Sequence, residues 1–170
     1  MMKKLNLIGL ALLSLAFTAL LNSCSDDDTP IPSGEYSDGV FIVNEGNSSS
    51  GGSVSFYSYK GDSVANNIFQ TENERPLGTF VQSLALDNYN AYIVVNGSNK
   101  VEVVNKLSFE ETATITGFDM PRYFAPVSNN KAYLTQWGNN GEIKVIDLQN
   151  NEISGTIDVG NGPEKMYTYY

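Results

Sequence analysis

The sequence predicts an all-β fold made of repeated four-stranded β-propeller blades, and three observations predict it. From Val40 onward, short strands of alternating apolar and polar residues are separated by Asn, Gly, Ser and Asp. No stretch there keeps a helical 3.6-residue period. One ordered set of strands also recurs: Ala132–Thr135 leads to Ile143–Asp147, as Ala91–Val94 leads to Val101–Asn105 and Val40–Val43 leads to Val54–Tyr57. Tyr92 and Tyr133 are 41 residues apart, and Phe41 and Tyr92 are 51 apart; the extra length fits the Asn47–Gly52 loop and the Ser63–Leu77 stretch. Four strands per ~40–45 residues is the period of a propeller blade.

The repeat is preceded by an address. Met1-Met2-Lys3-Lys4 is basic, and Leu5–Leu21 is apolar apart from Asn6, Ser14 and Thr18. Residues 1–23 therefore read as a signal peptide. Leu21-Asn22-Ser23-Cys24 resembles a lipobox, with Asn22 departing from the usual small or apolar residue. The resemblance implies lipidation at Cys24 and a membrane anchor, since each buried methylene contributes about 0.8 kcal/mol and several chains hold firmly. The alternative is an uncleaved anchor helix, although ~17 apolar residues sit at the lower limit for a span. Residues 24–38 read as an acidic linker, with Ser25-Asp26-Asp27-Asp28 followed by the extended, non-packing Thr29–Gly34. That acidic run resembles the export signal of Bacteroidetes lipoproteins displayed on the outer face of the outer membrane.

Residues 39–170 read as a partial propeller. Fourth strands fall at Glu110–Thr116 and Glu152–Val159, and inner strands at Phe80–Leu86, Tyr123–Val127 and Met166–Tyr170. Inner strands buried on both faces are expected to be apolar runs such as Leu84-Ala85-Leu86. Outer strands alternate because one face is wet. The turns at Asn129-Asn130 and Gln149-Asn150-Asn151 supply residues that take positive φ at low cost. These 132 residues, at about 44 per blade, make three blades, whereas propellers close with four to eight. The expectation is an open arc, the N-terminal part of a longer propeller, with unpaired strand edges.

Composition narrows the chemistry. Ten basic residues stand against 19 acidic ones, a net charge of −9; loss of Lys3 and Lys4 with the signal takes it to −11. Such a surface repels phosphate backbones and argues against nucleic-acid partners. The sequence has no histidine, which removes His-based triads, His general bases and most zinc sites. The single cysteine, Cys24, allows no internal disulfide. No metal, cofactor or catalytic residue is expected, and the chain reads as a non-enzyme.

Ala-Tyr strands, x-Val-x-Val-Ile-Asp strands and Thr156-Ile-x-Val-Gly-x-Gly-Pro163 resemble YVTN/YncE-type seven-bladed propellers. Gly39–Gly46, Ile115–Phe118 with Pro121-Arg122-Tyr123, and Ala132–Gln136 resemble more closely the surface-layer-like propeller lipoproteins of gut Bacteroidetes, which include BtuG-type cobalamin-capture proteins. In such a fold, loops between second and third strands gather on one face with the starts of the inner strands. The equivalent segments Asn44-Glu45-Gly46-Asn47, Asn96-Gly97-Ser98-Asn99 and Gln136-Trp137-Gly138-Asn139 would meet there, with Gln82, Arg122 and Lys165. The candidate ligand-binding residues are thus Asn44, Glu45, Gln82, Asn96, Arg122, Gln136, Trp137 and Lys165. The resemblance implies an outer-membrane, surface-exposed lipoprotein that binds a small molecule, a corrinoid such as cobalamin, for a TonB-dependent transporter. A large, flat, amide-rich ligand would suit such a platform. The alternative is a structural surface-layer or adhesion-type protein that makes protein or glycan contacts.

Overall fold

A computed structural model of the chain describes residues 34–169. The expected signal peptide, Cys24 and the expected linker up to residue 33 lie outside the described residues, as does Tyr170. The described part is an all-β arc of three antiparallel meanders in which sheet order follows chain order. The first sheet holds β1 (Gly39–Asn47), β2 (Gly51–Ser58) and β3 (Ser63–Ala65). The second holds β4 (Val81–Leu86), β5 (Asn90–Val95), β6 (Lys100–Asn105) and β7 (Glu111–Thr116). The third holds β8 (Pro121–Ser128), β9 (Lys131–Gln136), β10 (Glu142–Asp147) and β11 (Glu152–Asp158).

Register makes the repeat explicit. Phe41 faces Phe56, Tyr92 faces Val103, and Tyr133 faces Val145. β1, β5 and β9 are therefore equivalent second strands. Among the described residues the first sheet has the second, third and fourth strands of a blade and no inner strand, whereas β4 and β8 are the inner strands of the other two.

Apolar alternation builds two cores, one at each blade junction. Strand β5 supplies both, because its period of two sends successive side chains to opposite faces. Ala91, Ile93 and Val95 join Val54, Phe56, Ile68, Phe69 and Phe109 between the first and second blades. Tyr92 and Val94 join Phe124, Leu134 and Ile146 between the second and third. There Tyr92 stacks on Phe124 with ring centroids 4.5 Å apart. The strand buried on both faces is thus β5 and not the expected inner strand β4, whose Leu86 is 49% exposed. The inner strand β4 pairs with β5 alone and meets the next inner strand, β8, through side chains: the Ser83 hydroxyl donates to the Arg122 carbonyl at 2.7 Å.

Four further details differ from the sequence expectation. A helix, α1 (Ile68–Asn73), occupies part of the long gap after β3. Six residues are too few to show a period or to hold as an isolated helix. Burial of Ile68 and Phe69 holds it, as does Asn73, which donates to the Phe69 and Phe109 carbonyls and accepts from the Glu111 amide. Packing also begins within the expected linker: Tyr36 is buried, its amide donates to the Leu107 carbonyl, and its hydroxyl donates to Glu72 at 2.7 Å. The acidic composition around Tyr36 masks this core residue. Of the Asn turns, Asn151 takes positive φ (54°), but Asn129 and Asn130 do not. A hydrogen bond from the Ser128 hydroxyl to Asn130 closes that turn instead. Finally, of the expected inner strand Met166–Tyr170, the described residues Met166–Tyr169 form no strand. A strand needs a neighbour for its backbone groups, and none of the described residues flanks it.

Candidate functional site

The loop face is assembled by backbone hydrogen bonds that repeat from blade to blade. The Asn96 and Gly97 amides donate to the Phe80 and Thr79 carbonyls at 2.9 and 3.0 Å. The Trp137 and Gly138 amides donate to the Met120 and Asp119 carbonyls at 3.1 and 3.0 Å. The residue before each inner-strand start is left-handed: Phe80 and Met120 at φ 51°, and Gly162 at 67°. Bulky residues in that region cost on the order of 1–3 kcal/mol, so the surrounding packing must hold them there. Gly97 lies so close to the neighbouring loop that a Cβ would sit 2.5 Å from the Thr79 hydroxyl.

On this scaffold Arg122 is the centre of a cluster. One of its guanidinium nitrogens donates to Gln82 at 2.6 Å. Its other side pairs with Glu164 at 3.1 Å. The guanidinium lies over the Trp137 ring, 4.0 Å from the centroid. Cation–π contacts of this kind contribute about 0.5–2 kcal/mol. Asn96 donates its side-chain amide to the Pro121 carbonyl at 3.0 Å, beside Arg122. Gln82, Arg122 and Glu164 each follow the first residue of an inner-strand segment (Val81, Pro121, Pro163), so they form a line across consecutive blades. Trp137 stays 41% exposed. The result is an open platform with an aromatic face, a clamped cation, a carboxylate and amides.

The structure places the other candidates elsewhere. Gln136 is buried: it accepts from the Asp119 amide and donates to Glu142. The residue equivalent to Asn96 is Trp137, since both donate a backbone amide to the residue before an inner strand. Asn44 turns back into its own blade and donates to Ser53 and Ser55. Glu45 is exposed within β1, at the register irregularity between Asn44 and Asn47. Lys165 lies over the Tyr123 ring at 5.7 Å and is not the equivalent of Arg122. Its neighbour Glu164 holds that position, a residue sequence reasoning missed. Counting four residues from each Ala-Tyr tyrosine, and one from each inner-strand proline, finds Trp137 and Glu164 without any structure.

Elsewhere polar groups serve the fold. Glu102 is fully buried in β6, where Arg75 grips both carboxylate oxygens at 3.0 and 2.9 Å, and Lys100 and Thr114 also donate to it. Burial pushes its carboxyl up, but the Arg75, Lys100 and Thr114 hydrogen bonds outweigh it and leave it below the usual range. Tyr36 and Tyr92 are pushed well above the ordinary tyrosine value, first by burial and then by hydrogen bonds to Glu72 and Asp87. Neither is suited to act as a base. A cleft of about 250 Å³ between the β1–β2 loop and α1 is lined by Gly52, Asn67, Phe69, Gln70 and Leu77 among others, and by none of the candidate residues. Among the described residues, no group of three or more Cys, Asp or Glu converges as a metal site.

Comparison with known proteins supports the fold. The chain is similar to a solved structure of Kuenenia stuttgartiensis hydrazine synthase, at 21% identity and a TM-score of 0.58, covering 84% of this chain and 40% of that one. It is also similar to apo AztD from Citrobacter koseri, at 18% identity and a TM-score of 0.52, covering 81% of this chain and 39% of that one. A second crystal structure of Citrobacter koseri AztD gives 18% identity and a TM-score of 0.51, with 82% and 41% covered. The chain thus spans about two fifths of each of these proteins, and at such identities the likeness is one of fold. No curated protein matches the sequence. Residues 38–167, which hold all three sheets, match the domain of unknown function DUF5074, and the chain belongs to that family.

Proposed function

We propose that the protein is a non-enzymatic binding module, displayed as a lipoprotein on the outer surface of the outer membrane. Its loop face binds a flat, amide-rich small molecule of the corrinoid type for delivery to a TonB-dependent transporter. The observation that carries this reading is the convergence of Gln82, Asn96, Arg122, Trp137 and Glu164 on one face. An exposed indole backed by a fixed guanidinium offers a stacking surface. The surrounding amides and carboxylate can both donate to and accept from ligand amides. The platform is shallow, which suits a broad ligand better than a small one that needs enclosure. The lack of histidine and the raised tyrosines support a binding role over catalysis.

Titration calorimetry with cyanocobalamin tests the reading. Binding that quenches Trp137, the only tryptophan, after correction for corrinoid absorbance supports it. No heat at micromolar protein removes the corrinoid.

A further inference from the structure

The cleft between the β1–β2 loop and α1 shares no residue with the Arg122 platform. All of its lining falls between Ser50 and Gly78, so one stretch of chain builds it. One wall is the start of β2. Asn47 fixes that wall by accepting from the Ser49 and Ser50 amides at 2.8 and 2.9 Å, and the Gly52 amide donates to the Gly78 carbonyl at 2.8 Å. Side chains are kept out of it: a Cβ on Gly52 would sit 2.4 Å from the Glu45 carbonyl oxygen, and Gly51 takes φ 70°. The floor is apolar, with Phe69 and Leu77 buried. Asn67 and Gln70, both exposed, line the other wall. Their backbone carbonyls accept from the Thr71 and Glu74 amides, while their side-chain amides bond to no described residue.

We propose that this cleft binds one neutral hexose unit, held by the Asn67 and Gln70 amides over the Phe69–Leu77 floor. Neutrality follows from the lining. It carries no charged side chain, although the chain has 19 acidic and 10 basic residues. Helix α1, at six residues, is too short to hold an ion by its dipole. Each primary amide offers two donors and an acceptor. A sugar hydroxyl both donates and accepts, so neighbouring hydroxyls match a pair of such amides.

Size and stiffness fit the same ligand. The volume of about 250 Å³ lies below the ~300–1,000 Å³ of sites for drug-sized molecules. That excludes a corrinoid and suits a single sugar ring, whose C–H face can rest on the apolar floor. Binding breaks no internal hydrogen bond of Asn67 or Gln70. The wall at β2 is already fixed by its backbone bonds, so little order is lost there on binding. A free hexose and the terminal sugar of a glycan present the same chemistry to this cleft.

Nitrogen-edited NMR of the full chain carrying Cys24→Ser tests the proposal, with D-glucose, D-galactose and D-mannose as probes. At least one hexose should shift the side-chain amide signals of Asn67 and Gln70, saturating in the millimolar range expected of a few hydrogen bonds. Gln70→Ala should weaken that binding about fivefold, the size of one lost hydrogen bond. Asn67→Gly, which keeps the left-handed turn, should do the same, both with unchanged circular dichroism. The methyl glycoside of the bound sugar separates the two sources: equal binding assigns the cleft to a glycan end, and lost binding to the free sugar. No shift with any hexose at tens of millimolar overturns the proposal. So do shifts that glycerol reproduces, or an affinity that neither variant weakens. Cyanocobalamin plays no part in this readout, so the outcome is separate from that of the platform.

Discussion

The first and second blades are built from the same repeat, yet they differ in how they are finished. In the second blade, β5 is covered by β4 and β6 and buries five consecutive residues, Ala91–Val95. In the first, the equivalent strand β1 pairs with one strand among the described residues, and its residues alternate between half-buried and exposed until Val43. The same alternating sequence pattern thus gives a core strand or an edge strand, and the inner neighbour decides which. Blade identity is a local property, but blade stability is borrowed from the adjoining strand and sheet.

Core truncation should widen that difference most. Phe124→Ala removes the ring stacked on Tyr92 at the sealed junction and should cost about 3–5 kcal/mol of unfolding free energy in denaturant melts. Phe41→Ala, at the half-open first blade, should cost clearly less; equal losses would contradict the contrast. Next in size is Glu102→Gln. Removing the charge from a buried carboxylate leaves Arg75 and Lys100 facing each other, a loss of about 3 kcal/mol, at the low end for broken buried pairs because both cations are partly exposed. Its pH signature follows from the lowered carboxyl. The stability it confers is complete above about pH 4.3, the ordinary glutamate value, and is lost as pH falls through the lower folded value. The acid limb of a stability–pH profile should therefore flatten in Glu102→Gln.

Much of this arrangement was legible in the chain. The repeated strand order and its spacing place ten of the eleven strands, all but the three-residue β3, because period-two burial writes itself into the sequence. Two kinds of feature were not legible. Helix α1 and Tyr36 depend on burial against partners distant in sequence, Phe109 and Leu107, and carry no periodic mark. The site ring was read one residue out of place: Gln136 and Asn96 look alike chemically, but the backbone pairs Asn96 with Trp137. Similarity of side chains misled where a count from Tyr92 and Tyr133 does not. Glu164 was missed for the same reason, since Lys165 shares a charge with Arg122 but not its position.

The smallest stability effect is expected at the platform itself. Arg122→Ala should change unfolding free energy by only about 0–1 kcal/mol, the range of pairs whose partner is substantially exposed. Its effect should appear instead in cyanocobalamin affinity by calorimetry, together with Trp137→Ala. A variant that loses stability but keeps affinity would make the cluster a structural clasp.

Hydrogen exchange tests the contrast between the first and second blades most directly. The β1 amides that do not face β2 should exchange fast, while β5 amides, paired on both sides, stay protected. If the β1 and β5 amides are equally protected, the inner neighbour does not decide which strand is core and which is edge.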